Sequence, residues 1–264
     1  MSGNPKTGEP QAGLTWSEDT EPSGLGPEIN REAVIWQLVD TAFPSGGFAH
    51  SAGLEAACRW EQVRSPEALD EFLRHSLVQW GRGLIPFLVA AHERLDRFRE
   101  VDEQCDVFLN NHVANRASRL QGQAFLAAAE AAFGAKQLDA SSSAREQDRM
   151  DWLTTQRASI RASESRLHLA VVFGAITGLF QIPADQAVRM FLYTSLRDLI
   201  SAAVRLNIVG SLEAQSMQFR LNRFANHVAN GCWQMTVREA TQTAPLADLF
   251  QATHRRLYTR LFQS

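Results

Sequence analysis

Nothing in this chain of 264 residues reads as catalytic equipment. It has no Gly-x-x-x-x-Gly-Lys-Ser/Thr loop whose amides could cradle phosphates, which excludes GTP or ATP hydrolysis by that route. Gly-x-Gly-x-x-Gly is missing as well, and no Gly-x-Ser-x-Gly elbow supports a serine nucleophile. Without a Cys-x-x-Cys pair or a His-Glu-x-x-His helix, neither a structural nor a catalytic zinc site has sequence support. The formal net charge of −3 provides no overall basic field for nucleic acid. No apolar run reaches the roughly 18 residues that span a bilayer, and the start of the sequence lacks a signal core. Cys58, Cys105 and Cys232 stand singly, as free thiols do in a reducing compartment. The expectation is a cytoplasmic protein with no catalytic residues, resident metal or cofactor.

What is present is helical periodicity. Residues 1–30 hold Pro5, Pro10, Pro22 and Pro27 with few apolar side chains, so they read as a disordered leader to a helical domain over 31–264. A polar island from about Lys136 to Arg149 reads as an exposed loop between two halves of that domain. Elsewhere apolar residues recur every three or four positions. Leu69, Phe72, Leu73, Leu77 and Trp80 form one stripe, opened by Ser65 as cap and Pro66 in the first turn. Leu84, Leu88, Ala91, Leu95 and Phe98 form a second, and Leu109, Val113, Arg116, Leu120 and Ala124 a third. Leu167 to Phe180 is apolar on nearly every face and predicts a central helix. Pro183 opens a long segment through Leu206, and Met217 to Val228 suggests another helix. Pro245 starts a last one carrying Leu246, Leu249, Phe250, Leu257 and Leu261. The fold class is all-α, a single large bundle of about eight to ten helices.

The segment Phe43-Pro44-Ser45-Gly46-Gly47-Phe48-Ala49-His50-Ser51-Ala52-Gly53-Leu54-Glu55 interrupts this pattern. Pro44 and the two glycines break the helix carrying Val34, Ile35, Leu38, Val39 and Ala42. Ser51 is placed to cap the next helix, with Glu55 in its first turns. The loop is either a helix–turn–helix corner with Phe48 plugging the core, or a surface loop presenting His50 to a partner. Five histidines (His75, His92, His112, His168 and His227) fall on separate predicted helices, where surface or hydrogen-bonded core roles outweigh metal ligation. Arg116 and Arg205 are either solvated charges or partly buried hydrogen-bond hubs. The end of the sequence is unusually apolar, with Leu257, Tyr258, Leu261 and Phe262 among Arg255, Arg256 and Arg260. It is either a final helix on its own core or a docking element.

The loop resembles the signature of the UreF family of urease accessory proteins, Pro-x-Gly-Gly-Phe-x-x-Ser-x-Gly-Leu-Glu, matched at Pro44, Gly46, Gly47, Phe48, Ser51, Gly53, Leu54 and Glu55. His50 stands where many bacterial members carry tyrosine. The Asn115–Leu126 stretch, with Arg116, Ser118, Gln121 and Gly122, is similar to the family's Arg-x-Ser-x-x-Gln-Gly-x-x-Leu helix. The stretch from Leu196 through Arg197, Asp198 and Ser201 to Arg205 and Leu206 resembles its Ser-Ala-Ala-x-Arg-Leu helix, in a form closer to plant and fungal members. Thr259 to Ser264 resembles its Arg-Leu-Phe-x-Ser tail. The resemblance implies a helical homodimer, not itself a GTPase. It would bind UreD (UreH in some members) and recruit the GTPase UreG, so that nickel enters apo-urease in a GTP-dependent step. Partner-binding residues would then come from Pro44, Ser45, Gly46, Gly47, Phe48, His50, Ser51, Gly53 and Glu55 of the loop. Arg116, Gln121, Arg197, Asp198 and Arg205 would add to them from the helices, and Tyr258, Arg260 and Phe262 from the tail. Arg260 is expected to support the loop. The alternative is a direct nickel metallochaperone that uses surface histidines.

Overall fold

The apolar stripes close into helices, and among the described residues there is no strand. The computed structural model describes residues 30–134, 144–161 and 165–264. In chain order the helices are α1 (Arg31–Val39), α2 (Leu54–Arg59), α3 (Pro66–Gly83), α4 (Ile85–Glu93), α5 (Phe98–Phe108) and α6 (His112–Phe133). After them come α7 (Ala144–Arg161), α8 (Leu169–Leu179), α9 (Ala184–Arg205), α10 (Ser211–Cys232) and α11 (Pro245–Thr253). Except for Asn30, the leader expected over residues 1–30 lies outside the described residues. Asn30 itself caps α1, its side chain accepting from Ala33 N at 3.2 Å.

Local chemistry sets several of these ends. Ser65 Oγ accepts from Ala68 N at 3.3 Å and Pro66 fills the first turn of α3, as the sequence predicts. Asn111 Oδ1 accepts from Val113 N at 3.1 Å to start α6. The apolar segment around residue 170 becomes α8, buried along nearly its whole length and enclosed by α4, α5, α6 and α9. Its glycines let α4 come close: a Cβ on Gly174 would overlap the Leu88 carbonyl. Around this centre, α10 covers α9 and α3, α7 covers α6, and α11 packs on α2 and α6.

Four expectations change. The second stripe is two helices, because Arg94 leaves the helical region and a 3₁₀ turn at Leu95–Arg97 redirects the chain into α5. Residues 144–149 of the polar island are the start of α7 rather than loop, and residues 136–143 lie outside the described set. Helix α11 stops at Thr253, so Leu257 and Leu261 are not on it. Ser51 does not cap α2: that helix begins at Leu54 after Gly53, whose φ is +89°.

The junction of α5, α6 and α8 is a polar knot inside the bundle. Asp102, 1% exposed, accepts backbone bonds from Arg166 N (2.6 Å), Leu167 N (2.7 Å) and His168 N (2.9 Å). These hold Leu167 in the left-handed region at φ +63°. His168 lies between Asp106 Oδ1 (3.1 Å) and Ser118 Oγ (3.2 Å), and Ser118 Oγ also accepts from Leu169 N. Burial lowers the His168 pKa. A serine, a histidine and an aspartate are thus linked, but the imidazole is fully buried, its bonds run to α5 and α6, and Ser118 in turn takes the first amide of α8. That arrangement fixes the helix entry.

Candidate functional site

Three segments remote in sequence meet at one end of the bundle: the loop after α1, the C-terminal half of α9, and residues 257–264. Phe43 anchors the loop by plugging the core edge-on to Phe125, with ring centroids 5.2 Å apart. Gly46 adopts φ +75° and starts a 3₁₀ turn over Gly47–Ala49. Gly47 is buried directly against the Asp198 carboxylate of α9, leaving no room for a Cβ. Phe48 therefore points outward, 65% exposed, rather than plugging the core.

Helix α9 supplies the charges beneath. Arg197 donates from Nε (3.1 Å) and Nη2 (2.8 Å) to Asp198 Oδ1, and from Nη1 to Val39 O at 2.5 Å. Burial raises the Asp198 pKa, against the opposing pull of Arg197 and Arg205. The Arg205 guanidinium lies between two rings, 3.5 Å from the Phe48 centroid and 4.2 Å from that of Phe262.

The tail is tied to the loop by its backbone. Glu55, 1% exposed, accepts from Leu261 N on Oε1 at 2.7 Å and from Phe262 N on Oε2 at 3.2 Å. The fully buried His254 donates from Nε2 to Glu55 Oε2 at 2.9 Å. Gln263 N donates to Ala49 O at 2.9 Å, and Ser51 donates to Ser264 O from N (2.6 Å) and from Oγ (3.1 Å). His50 Nδ1 and Ser264 Oγ share a bond at 2.5 Å. Burial, with a smaller push from His254, lowers the His50 pKa to about 4, so its ring is neutral at pH 7.

Gly47, Phe48, His50, Ser51, Glu55, Arg197, Asp198, Arg205 and Phe262 therefore come together. Gln121 joins them by lining a cavity of about 170 Å³ with Ser45, Gly47, His50, Arg197 and Asp198. Gly53 sits where α2 meets α11. Pro44 and Gly46 are exposed on the outer side of the loop. Arg116 is exposed on α6, and Tyr258 and Arg260 are exposed on the tail. Loop support comes from Glu55, Phe262 and Ser264, while Arg260 makes no described hydrogen bond or ion pair. Sequence reasoning missed His254 and Ser264; the one available signal was Glu55, a carboxylate in an apolar helix that needed partners. His75, His112 and His227 are exposed and His92 donates to Ile182 O at 2.7 Å. Among the described residues no three His, Cys, Asp or Glu side chains group as metal ligands would. Likewise no helix there is long and apolar enough to cross a membrane.

A family model described as UreF matches residues 63–222. A rice protein (Oryza sativa subsp. indica) named urease accessory protein F is 35% identical over 229 residues, 86% of this chain and 83% of its own length. The Arabidopsis thaliana protein of the same name is 35% identical over 231 residues, covering 87% of this chain and 91% of that one. Urease accessory protein UreF of Bradyrhizobium diazoefficiens is 27% identical over 255 residues, 92% and 98% of the two chains.

Proposed function

The chain belongs to the UreF family, with plant-type relatives at 35% identity, and from that premise we propose that it is a non-enzymatic scaffold of urease maturation. In this reading it works in the cytoplasm as a homodimer, holds UreD (UreH) and recruits the GTPase UreG. The resulting assembly meets apo-urease and admits nickel in a GTP-dependent step. The scaffold supplies positioned surface, and nickel is cargo that needs no tight site in this chain.

The observation that carries the reading is the junction of loop, α9 and tail. A buried carboxylate spends its bonding capacity on tail amides, so that Phe48, Tyr258 and Leu261 can stay outside on an ordered backbone. Apolar side chains carried outside on an ordered backbone are favourable binding anchors, because little further backbone entropy is lost on docking. Co-expression with UreD, UreG and apo-urease, with and without this chain, tests it. Urease activity should depend on the chain, and activation without it would overturn the assignment.

A further inference from the structure

Three arginines in this protein hold a neighbouring carboxylate by one edge of the guanidinium, the edge formed by Nε and Nη2. Arg94 donates from these atoms to the two oxygens of Asp96, at 2.9 and 2.7 Å. Arg97 does the same to Glu100, and Arg197 directs both atoms at Asp198. In Arg205 that edge is vacant: Nε and Nη2 are shielded from solvent and have no hydrogen-bond partner among the described residues. Among the described residues Asp198 does not fill it: its Oδ1 accepts from Arg197, and its Oδ2 faces Gly47. Shielded, unpaired charged donors are costly, and stacking on Phe48 and Phe262 offsets only part of that cost.

We propose that Arg205 is the receptor for a carboxylate of the docking partner, an Asp or Glu side chain that enters as the Phe48 ring swings off the guanidinium. The inference rests on the scaffold reading and adds its recognition chemistry. Of the two rings on the guanidinium, the exposed Phe48 is the one free to move, whereas Phe262 is buried. The loop backbone is pinned by Gly47 against Asp198 and by Gln263 N on Ala49 O, whereas the Phe48 side chain is mostly in solvent. Charge favours this occupant: Arg59 on α2 and Arg255, Arg256 and Arg260 on the tail are all exposed. The planar fork selects a carboxylate, which can accept both donors at once.

The full chain tests this by NMR of the Arg205 Nε–Hε group, assigned by its loss in Arg205→Lys. N-acetyl-diglutamate is titrated against sodium chloride and inorganic phosphate at matched ionic strength. The proposal expects a saturable shift with diglutamate, tightened about two- to fivefold in Phe48→Ala because the covering contact is gone. No shift, an equal shift with chloride, or a larger response to phosphate would overturn it. With UreD as the second probe, Arg205→Gln should weaken binding on the order of tenfold while backbone amides outside the junction keep their positions. If Arg205→Gln does not fold, Arg205→Lys, which keeps charge but loses the fork, takes its place. Binding within twofold of wild type sinks the carboxylate receptor. Failure of wild type to bind UreD would instead sink the scaffold reading, and the diglutamate titration would still judge Arg205.

Discussion

Two buried carboxylates, Asp102 and Glu55, do the same job in different settings. Each accepts successive backbone amides of a distant segment, residues 166–168 for Asp102 and 261–262 for Glu55. A buried histidine belongs to each set: His168 donates its amide to Asp102, and His254 donates its ring N–H to Glu55. What differs is the surroundings. The segment held by Asp102 runs straight into α8, which is covered on all sides. The segment held by Glu55 carries Tyr258 and Leu261 into solvent. One tie locks the centre of the bundle, and the other orders a surface. The same bonding pattern thus serves stability in one place and presentation in the other, and only the neighbours distinguish them.

The comparison breaks most directly at Asp102. Asp102→Ala strands three backbone amides, two of them buried, and frees a left-handed Leu167, so a loss of about 3–5 kcal/mol in urea unfolding is expected. A loss under about 1 kcal/mol would show that α8 does not depend on this tie. Glu55→Gln should cost less, about 1–3 kcal/mol, and should act locally. Trypsin would then cut early at Arg255, Arg256 or Arg260, while amide exchange in α8 stays slow. Global loosening equal to that of Asp102→Ala would erase the distinction drawn here.

Acid sharpens it further. The folded-state pKa of His50 is about 4, below its ordinary 6.5, so the unfolded chain takes up the proton first. Its stabilising contribution is complete above pH 6.5 and disappears as pH falls from 6.5 toward 4. His168 is shifted in the same direction, so the measurement is a difference. The melting temperature of wild type should fall more steeply across that window than that of His50→Gln, and parallel curves would refute the assignment. The smallest expected effect on stability is Tyr258→Ala. Because that ring is fully exposed, stability should stay within about 0.5 kcal/mol while urease activation in the reconstituted system falls.

The helical architecture was legible because burial on one face leaves a periodic trace and caps leave a local one. Ser65 with Pro66 marked a helix start, and the unbroken apolarity around residue 170 marked the buried centre. Where those traces fade, so did the reading. Helix α7 shows almost no amphipathic contrast; its Ala, Arg, Glu, Gln and Met residues favour helix by backbone propensity, and among the described residues Leu153 and Trp152 anchor it, in the core and against Phe98. The break between α4 and α5 lies inside a stripe that stays in phase across it. At the site, the motif residues were readable by resemblance, but their arrangement was not. Phe48 and Phe43 are the same residue type five positions apart, yet Phe43 enters the core and Phe48 stays outside because Asp198 blocks the path beneath Gly47. Tail docking depends on a bond between Glu55 and amides 206 and 207 residues away, a separation that no local pattern encodes.

The wedge of Gly47 against Asp198 has a consequence for engineering. Loop and helix form a lock cut from both sides, so neither half is portable alone. Moved to another helical scaffold, the Gly-Gly-Phe corner would lose the shape that turns its phenylalanine outward, unless a helix bearing an acidic side chain at the matching height came with it. Recombination between relatives should therefore place its crossover points outside the interval from Gly46 to Asp198, keeping both halves from one parent.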